Sequence, residues 1–275
     1  MSGILYLVAT PIGNLEDITL RALRVLKEVD IIVAEDTRNT LKLLNHFEIS
    51  KTLISYHRHS NMEKANSIIE KLKEGKNIAL VSDAGTPVIS DPGEELVKIA
   101  IEENIKIVPI PGACAAINAL IVSGIDAKEF SFLGFLPLNK KTRNEKLSEI
   151  KNSLYTTIIY EAPHKLNTTL NDLKEILKNR KIAVIREITK IHEEFIYGTV
   201  DEILQKIENP RGEYVIVIEA EQEKNEDSDI LKNLSIEEHY KYYEKTGMNK
   251  KEIIKQIAKD RKLNKNEVYM KFINY

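Results

Sequence analysis

Sequence motifs that bind pyrophosphate are missing from this chain of 275 residues. It contains neither a Gly-x-Gly-x-x-Gly sequence nor a Gly-Lys-Ser/Thr loop, so the common signatures of dinucleotide and nucleoside-triphosphate sites are absent. The single cysteine, Cys114, excludes a disulfide framework and a cysteine-based zinc site. The six histidines are scattered without zinc-ligand spacing, so no metal is expected.

Long apolar runs and an excess of charge of one sign are also missing. No stretch is long enough to span a bilayer and no signal peptide is visible, so we expect a soluble cytosolic protein without a membrane partner. The 40 basic and 42 acidic residues nearly cancel, to a net charge of -2. Any nucleic-acid site must therefore come from local charge patterning.

Apolar runs and amphipathic segments alternate along the chain. In the first half of the chain this β-α-β-α order predicts a mostly parallel sheet that is covered on both faces. A second cycle begins near residue 130. With the hydrophobic content of 43%, the pattern predicts an α/β protein with two tandem α/β domains and a short helical tail. The predicted bounds are 1–125 for the first domain, 126–222 for the second, and 223–275 for an acidic linker and a basic helical tail.

A turn of small residues follows the apolar run 78–81, with the sequence Ser-Asp-Ala-Gly-Thr-Pro. Open α/β sheets bind ligands at the carboxyl ends of their strands, so this turn is a candidate site. Gly85 lets the backbone approach a ligand closely. Asp83 can accept hydrogen bonds from ligand hydroxyls, or it can form an Asx turn with its own backbone. S-adenosylmethionine fits a site without a pyrophosphate cradle, because it consists of an adenosine, an amino acid and a sulfonium cation.

Charged residues also follow the apolar run 31–34. Glu35 can orient or deprotonate a hydroxyl group, and Arg38 can hold a phosphate through two hydrogen bonds. The alternative is that Asp36 or Thr37 caps the following helix.

Two further clusters follow predicted strands in the second half of the chain. Tyr160 can stack on an adenine and Glu161 can accept a hydrogen bond from the substrate, with a buried tyrosine and a capping carboxylate as the alternatives. Lys190 lies beside carboxylates in a loop, where a cation can stabilise an alkoxide, although surface charge is the default for such a cluster. Between the two halves, Ala115 and Ala116 leave room at a helix N-terminus, whose N–H groups are unpaired.

The C-terminal segment is the basic region of the protein. From residue 239 to residue 275 there are ten basic and four acidic residues. The apolar residues Ile253, Ile257 and Val268 predict two short amphipathic helices joined near residues 263–264, similar in outline to a helix-turn-helix. An RNA-binding element and a solvated helical appendage are both consistent with this pattern.

A set of motifs within about residues 1 to 220 forms a specific combination. They are YLVATPIGNLEDIT at 6–19, AEDTR at 34–38, SDAGTP at 82–87, PG at 111–112, GFLP at 134–137, YEAPH at 160–164 and TKIHEE at 189–194. In this combination the chain resembles the family of bacterial small-subunit ribosomal RNA methyltransferase I, in the tetrapyrrole methylase superfamily.

The resemblance implies two α/β domains of tetrapyrrole-methylase type with S-adenosyl-L-methionine in the cleft between them. It also implies methylation of the ribose 2′-hydroxyl of a cytidine in the decoding region of small-subunit (16S) ribosomal RNA. The implied partners are that RNA or the assembled small ribosomal subunit, and a second copy of the chain in a homodimer. The candidate cofactor-binding residues are Pro11, Asp83, Ala84, Gly85, Thr86, Ala115, Ala116, Tyr160 and Glu161. The candidate catalytic residues are Glu35, Arg38 and Lys190.

The favoured chemistry is in-line attack of ribose O2′ on the sulfonium methyl group, with Glu35 as the base and Lys190 as the stabilising cation. Two other classes of function stay open at this point. One is a methylase of the same fold that acts on a tetrapyrrole or on a protein residue. The other is a non-catalytic RNA-binding protein.

Overall fold

The computed structural model of the protein describes residues 2–57, 62–221, 231, 234–261 and 263–272. Contacts divide the chain into two compact units, Met1–Ala220 and Glu221–Tyr275. Among the described residues, no helix is long and apolar enough to cross a membrane. The acidic linker predicted to begin at residue 223 falls in the stretch 222–230, which lies outside the described residues. The predicted domain boundary at residue 125 stays a prediction.

The first sheet has five strands, all parallel to their neighbours, in the order β3-β2-β4-β1-β5. The strands are β1 (Ile4–Val8), β2 (Ile31–Ala34), β3 (Thr52–Ser55), β4 (Ile78–Val81) and β5 (Lys106–Ile110). Successive side chains of a strand point to opposite faces, and β4 shows the result. Leu80 belongs to the core on one face and Val81 to the core on the other.

Helices cover both faces of this sheet. They are α1 (Leu20–Glu28), α2 (Thr37–His46), α3 (Met62–Lys73) and α4 (Glu94–Glu102), with a short 3-10 turn at Leu15–Asp17. A fifth helix, α5 (Ala115–Val122), follows β5 in the chain. Leu72 of α3 and Leu96 of α4 pack on one face, whereas Leu26 of α1 and Leu44 of α2 pack on the other. Both faces of the sheet are therefore removed from water.

The second sheet also has five strands, in the order β6-β7-β10-β8-β9. The strands are β6 (Phe130–Phe135), β7 (Thr156–Glu161), β8 (Lys181–Arg186), β9 (Glu194–Thr199) and β10 (Tyr214–Ile218). The helices after β6, β7 and β9 are α6 (Lys140–Lys151), α7 (Pro163–Leu177) and α8 (Val200–Leu204). Pro163 occupies the first turn of α7, where its missing N–H costs nothing.

The second sheet, unlike the first, is mostly antiparallel. Only β6 and β7 pair in parallel, and β10 runs antiparallel between β7 and β8. The antiparallel pairing of β8 with β9 follows from their connection. The loop at 187–193 is too short for the crossover that parallel neighbours require.

Helix α5 follows the first sheet in the chain but packs on the second. Ala116, Ala119 and Leu120 share a core cluster with Ile158 and Val217 of the second sheet. The two sheets are thereby joined within one compact unit.

The C-terminal unit contains three described helices, α9 (Ile236–Glu244), α10 (Lys250–Asp260) and α11 (Lys265–Lys271). Ile253, Ile257 and Val268 are buried in its core, as predicted for the inward faces of two helices. Helix α9 was not predicted, although Ser235 and Glu238 form a capping box at its start.

Candidate active site

A cavity of about 570 Å³ lies between the two sheets of the first unit. Turns after strands of both sheets contribute to its wall, together with the start of α5 and the start of α7. The lining residues are Ile12, Glu35, Asp83, Ala84, Gly85, Thr86, Ile89, Ser90, Asp91, Cys114, Ala115, Phe135, Tyr160, Glu161, Ala162, Pro163, His164, Ile185, Ile188, Glu213, Tyr214 and Val215. The volume lies in the range of small-molecule and cofactor sites.

Gly85 fixes the turn after β4. It forms two backbone hydrogen bonds with Thr10, 2.9 and 3.1 Å long, so the turns after β1 and β4 are tied together. Its φ of +82° is a conformation that glycine adopts without strain. A Cβ at this position would lie 3.0 Å from Ile12 Cγ2, so the small residue also keeps this part of the wall open.

Asp83 connects the same turn to the start of α2. Its Oδ1 accepts a hydrogen bond from the Asp36 N–H (3.0 Å), and its Oδ2 accepts one from Asn39 Nδ2 (3.0 Å). The carboxylate of Asp83 does not form the Asx turn that the sequence allowed. Both of its hydrogen bonds go to residues at the start of α2. An ionised carboxylate has about four acceptor positions, so Asp83 keeps the capacity to accept from a ligand in the cavity.

The charged residues after β2 have separate roles in the structure. Asp36 is the N-cap of α2 and accepts from the Arg38 N–H (2.8 Å), as the capping alternative predicts. The Arg38 guanidinium also forks onto Asp36 and lowers the pKa of that carboxyl to about 2. Glu35 lines the cavity, whereas Arg38 does not and exposes 86% of its side chain.

A tyrosine hydroxyl accepts a hydrogen bond from the N-terminus of α5. The Ala116 N–H donates to Tyr160 Oη (3.1 Å), so the prediction of an unpaired N–H at Ala116 is wrong. Burial raises the pKa of Tyr160 to about 12. Its ring also meets Phe135 edge to face, with centroids 5.7 Å apart. Ala115 lines the cavity and Ala116 does not.

Glu161 is buried, at 4% exposure, although it reaches the cavity wall. Its Oε1 accepts from the Ala162 N–H (2.8 Å) and its Oε2 from the Thr169 hydroxyl (2.5 Å). Arg143 donates to the same Thr169 hydroxyl (2.8 Å) and pairs with Asp172. Glu161 is therefore part of a buried polar network beneath α7.

Lys190 lies at the rim and does not line the cavity. Its Nζ is 2.9 Å from Glu187 Oε1 and 2.7 Å from Glu213 Oε2, and Glu213 does line the cavity. Burial lowers the pKa of Lys190, but these two carboxylates more than compensate and the net shift is upward. The aliphatic part of the Lys190 side chain packs against Gly13, and a Cβ at position 13 would lie only 2.3 Å from Lys190 Cγ.

Pro11 is buried and does not line the cavity, but its neighbour Ile12 does. Sequence reasoning assigned no role to most of the lining residues from the second sheet or to the segment 89–91. Some signals were present, since His164 belongs to the motif at 160–164 and Asp91 follows the turn at 82–87. Glu213 gave no such signal, because it comes near Lys190 only through the antiparallel course of β10.

The charge of the wall is acidic. Among the described lining residues, Glu35, Asp83, Asp91, Glu161 and Glu213 carry carboxylates, and none is a lysine or an arginine. Such a wall opposes a pyrophosphate and favours a cationic or neutral ligand. In the described part of the chain, no group of three or more His, Cys, Asp or Glu residues could hold a metal ion.

Comparisons with known proteins agree with this architecture. The family model for tetrapyrrole (corrin/porphyrin) methylases matches residues 4–204. A ribosomal RNA small subunit methyltransferase I from Halalkalibacterium halodurans is 50% identical over 270 residues, which cover 97% of this chain and 93% of the relative.

Solved structures show the same fold at low identity. A diphthine synthase superimposes with a TM-score of 0.64 and 17% identity, covering 79% of this chain and 90% of the other. A uroporphyrin-III C-methyltransferase from Thermus thermophilus, complexed with S-adenosylhomocysteine, gives a TM-score of 0.56 and 15% identity over 78% of this chain and 97% of the other.

Proposed function

This chain belongs to the ribosomal RNA small subunit methyltransferase I family of the tetrapyrrole methylases, and we propose that it methylates a cytidine of small-subunit ribosomal RNA. In this proposal S-adenosylmethionine is the methyl donor and the ribose 2′-hydroxyl of a cytidine in the decoding region is the acceptor. The acceptor molecule is the RNA itself or the assembled small ribosomal subunit.

The observation that carries this proposal is the acidic, partly apolar cavity between the two sheets. Five carboxylates suit a ligand with a sulfonium cation, and the side chains of Ile12, Phe135 and Ile185 offer apolar surface to an adenosine. Gly85 and Ala115 have small or no side chains, so a ligand can approach the backbone at these two positions. Among the described lining residues, no lysine or arginine supplies the cation that a pyrophosphate needs.

Each candidate residue has a role that its contacts allow. Asp83 is held by α2 in an orientation that leaves acceptor positions for ribose hydroxyls of the donor. Thr86 donates to the Ala113 carbonyl oxygen (3.0 Å) and so fixes the turn against the approach to α5. Tyr160 holds the start of α5 and presents its ring to the cavity.

When bound, S-adenosylmethionine supplies an electrophilic methyl group on a sulfonium sulfur. The protein contributes position, which is worth about 7–11 kcal/mol in well-oriented reactions. Glu35 lines the cavity and is our candidate to take the proton of the acceptor hydroxyl, a contribution of about 10²- to 10⁴-fold. Lys190 lies at the rim and is ion-paired with Glu213, which lines the cavity. Arg38 is exposed and lies outside the cavity wall, where it can bind an RNA phosphate.

The test is a methyl-transfer assay with full-length protein, labelled donor and small ribosomal subunits that lack the modification. We expect label in the RNA, and mass spectrometry of its nucleosides should identify 2′-O-methylcytidine. Ala115→Leu should project into the cavity and weaken donor binding, whereas Ile117→Leu on the exposed side of the same helix should not. Transfer only to a tetrapyrrole or to a protein would overturn the substrate assignment. A failure to bind the donor at millimolar concentration would overturn the whole proposal.

We further propose that the protein acts as a homodimer through an apolar face of the first unit. Ile117 and Ile121 of α5 are 44% and 69% exposed, and Phe195 and Tyr197 of the edge strand β9 are 36% and 47% exposed. The Tyr197 hydroxyl donates to the Val122 carbonyl oxygen (2.9 Å), so these two elements are adjacent. Contiguous exposed apolar surface of this kind marks interaction sites.

In sedimentation experiments, Ile121→Glu should convert a dimer into a monomer. Ile101→Glu is the matched control, because Ile101 is 64% exposed on α4. A wild-type monomer at micromolar concentration would contradict this part of the proposal.

A further inference from the structure

A second cavity, of about 460 Å³, adjoins the first. Ser90 and Asp91 line both cavities, so the two spaces meet at this pair of residues. The other residues that line the second cavity are Tyr56, His57, Val88, Pro92, Gly93, Glu94, Glu95 and Lys98. This space lies beyond the carboxyl ends of β3 and β4, and none of our proposed donor contacts lines it.

Tyr56 is the distinctive group of this second cavity. Its side chain is 4% exposed, yet it contributes to the cavity wall. Burial and the charge of Glu95 raise the pKa of its hydroxyl, and no hydrogen bond from a described residue contributes to that shift. The hydroxyl is therefore protonated at neutral pH and can donate a hydrogen bond to a ligand in this cavity.

The segment that separates the two cavities has an unusual backbone. Val88 and Ser90 have φ angles of +76° and +66°, and a β-branched residue such as Val88 rarely adopts such a value. Gly93 completes the segment with φ of +131°, and a Cβ there would lie 2.7 Å from Leu80 Cδ2. Backbone strain of this kind persists where surrounding structure enforces it, and it is concentrated at ligand sites.

We propose that the second cavity receives the base of the acceptor nucleotide and selects cytosine, with Tyr56 donating to N3 and Glu95 accepting from the N4 amino group. This inference rests on the function proposed above and names the substrate determinant of that same site. The ribose, which joins the base to the reacting oxygen, would then lie at Ser90 and Asp91, where the two cavities meet.

Hydrogen-bond complementarity distinguishes cytosine from uracil in this arrangement. Cytosine presents a donor amino group beside the acceptor N3, which matches a carboxylate beside a hydroxyl. Uracil presents the acceptor O4 beside the donor N3–H, so its O4 would face the Glu95 carboxylate without a hydrogen bond. Among the described residues of this wall, Asp91, Glu94 and Glu95 outnumber the lysine Lys98, which disfavours a phosphate at the base position.

The experiment compares small ribosomal subunits that carry either the natural target cytidine or a uridine at that position. Tyr56→Phe removes only the hydroxyl, and Glu95→Gln replaces a pure acceptor by a group that can donate. Each variant should lower kcat/KM for the cytidine subunit and reduce the preference for cytidine over uridine by about 10- to 100-fold. Donor affinity, measured by calorimetry, should stay at the wild-type value. Glu102→Gln, which is exposed on the same helix α4 and does not line the cavity, is the matched control and should change neither quantity.

The possible results separate this inference from the proposed function. If wild-type protein methylates no cytidine in the subunit, both are wrong. If wild-type protein methylates it and both variants keep full discrimination between cytidine and uridine, only the base site is wrong. A loss of donor affinity in Tyr56→Phe or Glu95→Gln would also overturn it, because the second cavity would then belong to the donor.

Discussion

The two sides of the main cavity are built differently. On the side of the first sheet, Asp83 is exposed and Glu35 is half-buried, and the two bonds that Asp83 makes go to α2. On the side of the second sheet, Glu161 is 4% exposed and both its oxygens are bonded within the protein. Tyr160 is likewise bonded to the start of α5.

Polar groups therefore have two different functions in this site. Carboxylates that keep open acceptor positions can bind a ligand, whereas buried groups with complete hydrogen bonds hold the wall in place. Substitutions on the second-sheet side should therefore lower stability first. Substitutions on the first-sheet side should lower affinity or turnover first.

Glu161→Leu should have the largest effect. It leaves the Ala162 N–H and the Thr169 hydroxyl without their acceptor, and each such loss costs about 1–3 kcal/mol. We expect the free energy of unfolding, measured with urea, to fall by about 3 kcal/mol. Glu213→Gln is the control on the same side, because this exposed ion pair with Lys190 is worth about 1 kcal/mol at most. Equal losses in the two variants would contradict the comparison.

Gly85→Ala should combine a stability loss with a loss of donor binding. A non-glycine residue at φ of +82° costs about 1–3 kcal/mol, and the new Cβ would press on Ile12. Gly124→Ala is a matched control, since Gly124 has φ of +69° and no atom within 4 Å of the added Cβ. Both variants should be less stable, but only Gly85→Ala should bind the donor less tightly in calorimetry.

Asp83→Ala should weaken donor binding about tenfold, the effect of one hydrogen bond to a charged group. Asp126→Ala is the control, because Asp126 also accepts from a backbone N–H, of Lys128, in an exposed turn away from the cavity. If Asp83→Ala binds the donor as tightly as wild type, the carboxylate of Asp83 serves only to hold the start of α2.

Local patterns were sufficient to predict many elements. The apolar runs 31–34 and 78–81 form β2 and β4, and all four residues of β4 are buried. The direction of β9 and β10 could not be predicted in this way, because an apolar run has the same pattern in either direction. Their direction depends on loop length and on which neighbour leaves an edge to pair with.

The site was predictable where its residues are consecutive. Residues 83–86 of the turn line the cavity as a block, whereas the contact between Ala116 and Tyr160 joins positions 44 residues apart. Tyr56 and Asp91 approach the same space from different strands. No local pattern specifies such pairs, since they depend on the strand order of the first sheet and on the packing of α5 on the second.

Tyr160→Phe should cost about 1 kcal/mol, because the Ala116 N–H loses its acceptor. The effect should also depend on pH. The pKa of Tyr160 is raised from 10.0 to about 12 in the folded protein, so the fold favours the neutral hydroxyl. This contribution is complete below pH 10 and is lost as the pH rises towards 12. Unfolding experiments across that range should show a smaller pH-dependent loss in Tyr160→Phe than in wild type. Tyr155→Phe, at an exposed position, should keep the wild-type dependence.

Arg38→Ala should have the smallest effect and should separate binding of the donor from binding of RNA. The Arg38–Asp36 pair is exposed, so exchanging Asp36 for an RNA phosphate costs little. We expect unchanged donor affinity and protein stability, but a severalfold higher KM for ribosomal subunits that is most pronounced at low salt. Arg24→Ala is the matched control, because Arg24 makes a comparable exposed pair with Glu28 on α1. An equal change in both variants would mean that general surface charge, and not the position of Arg38 beside the first-sheet wall, attracts the RNA.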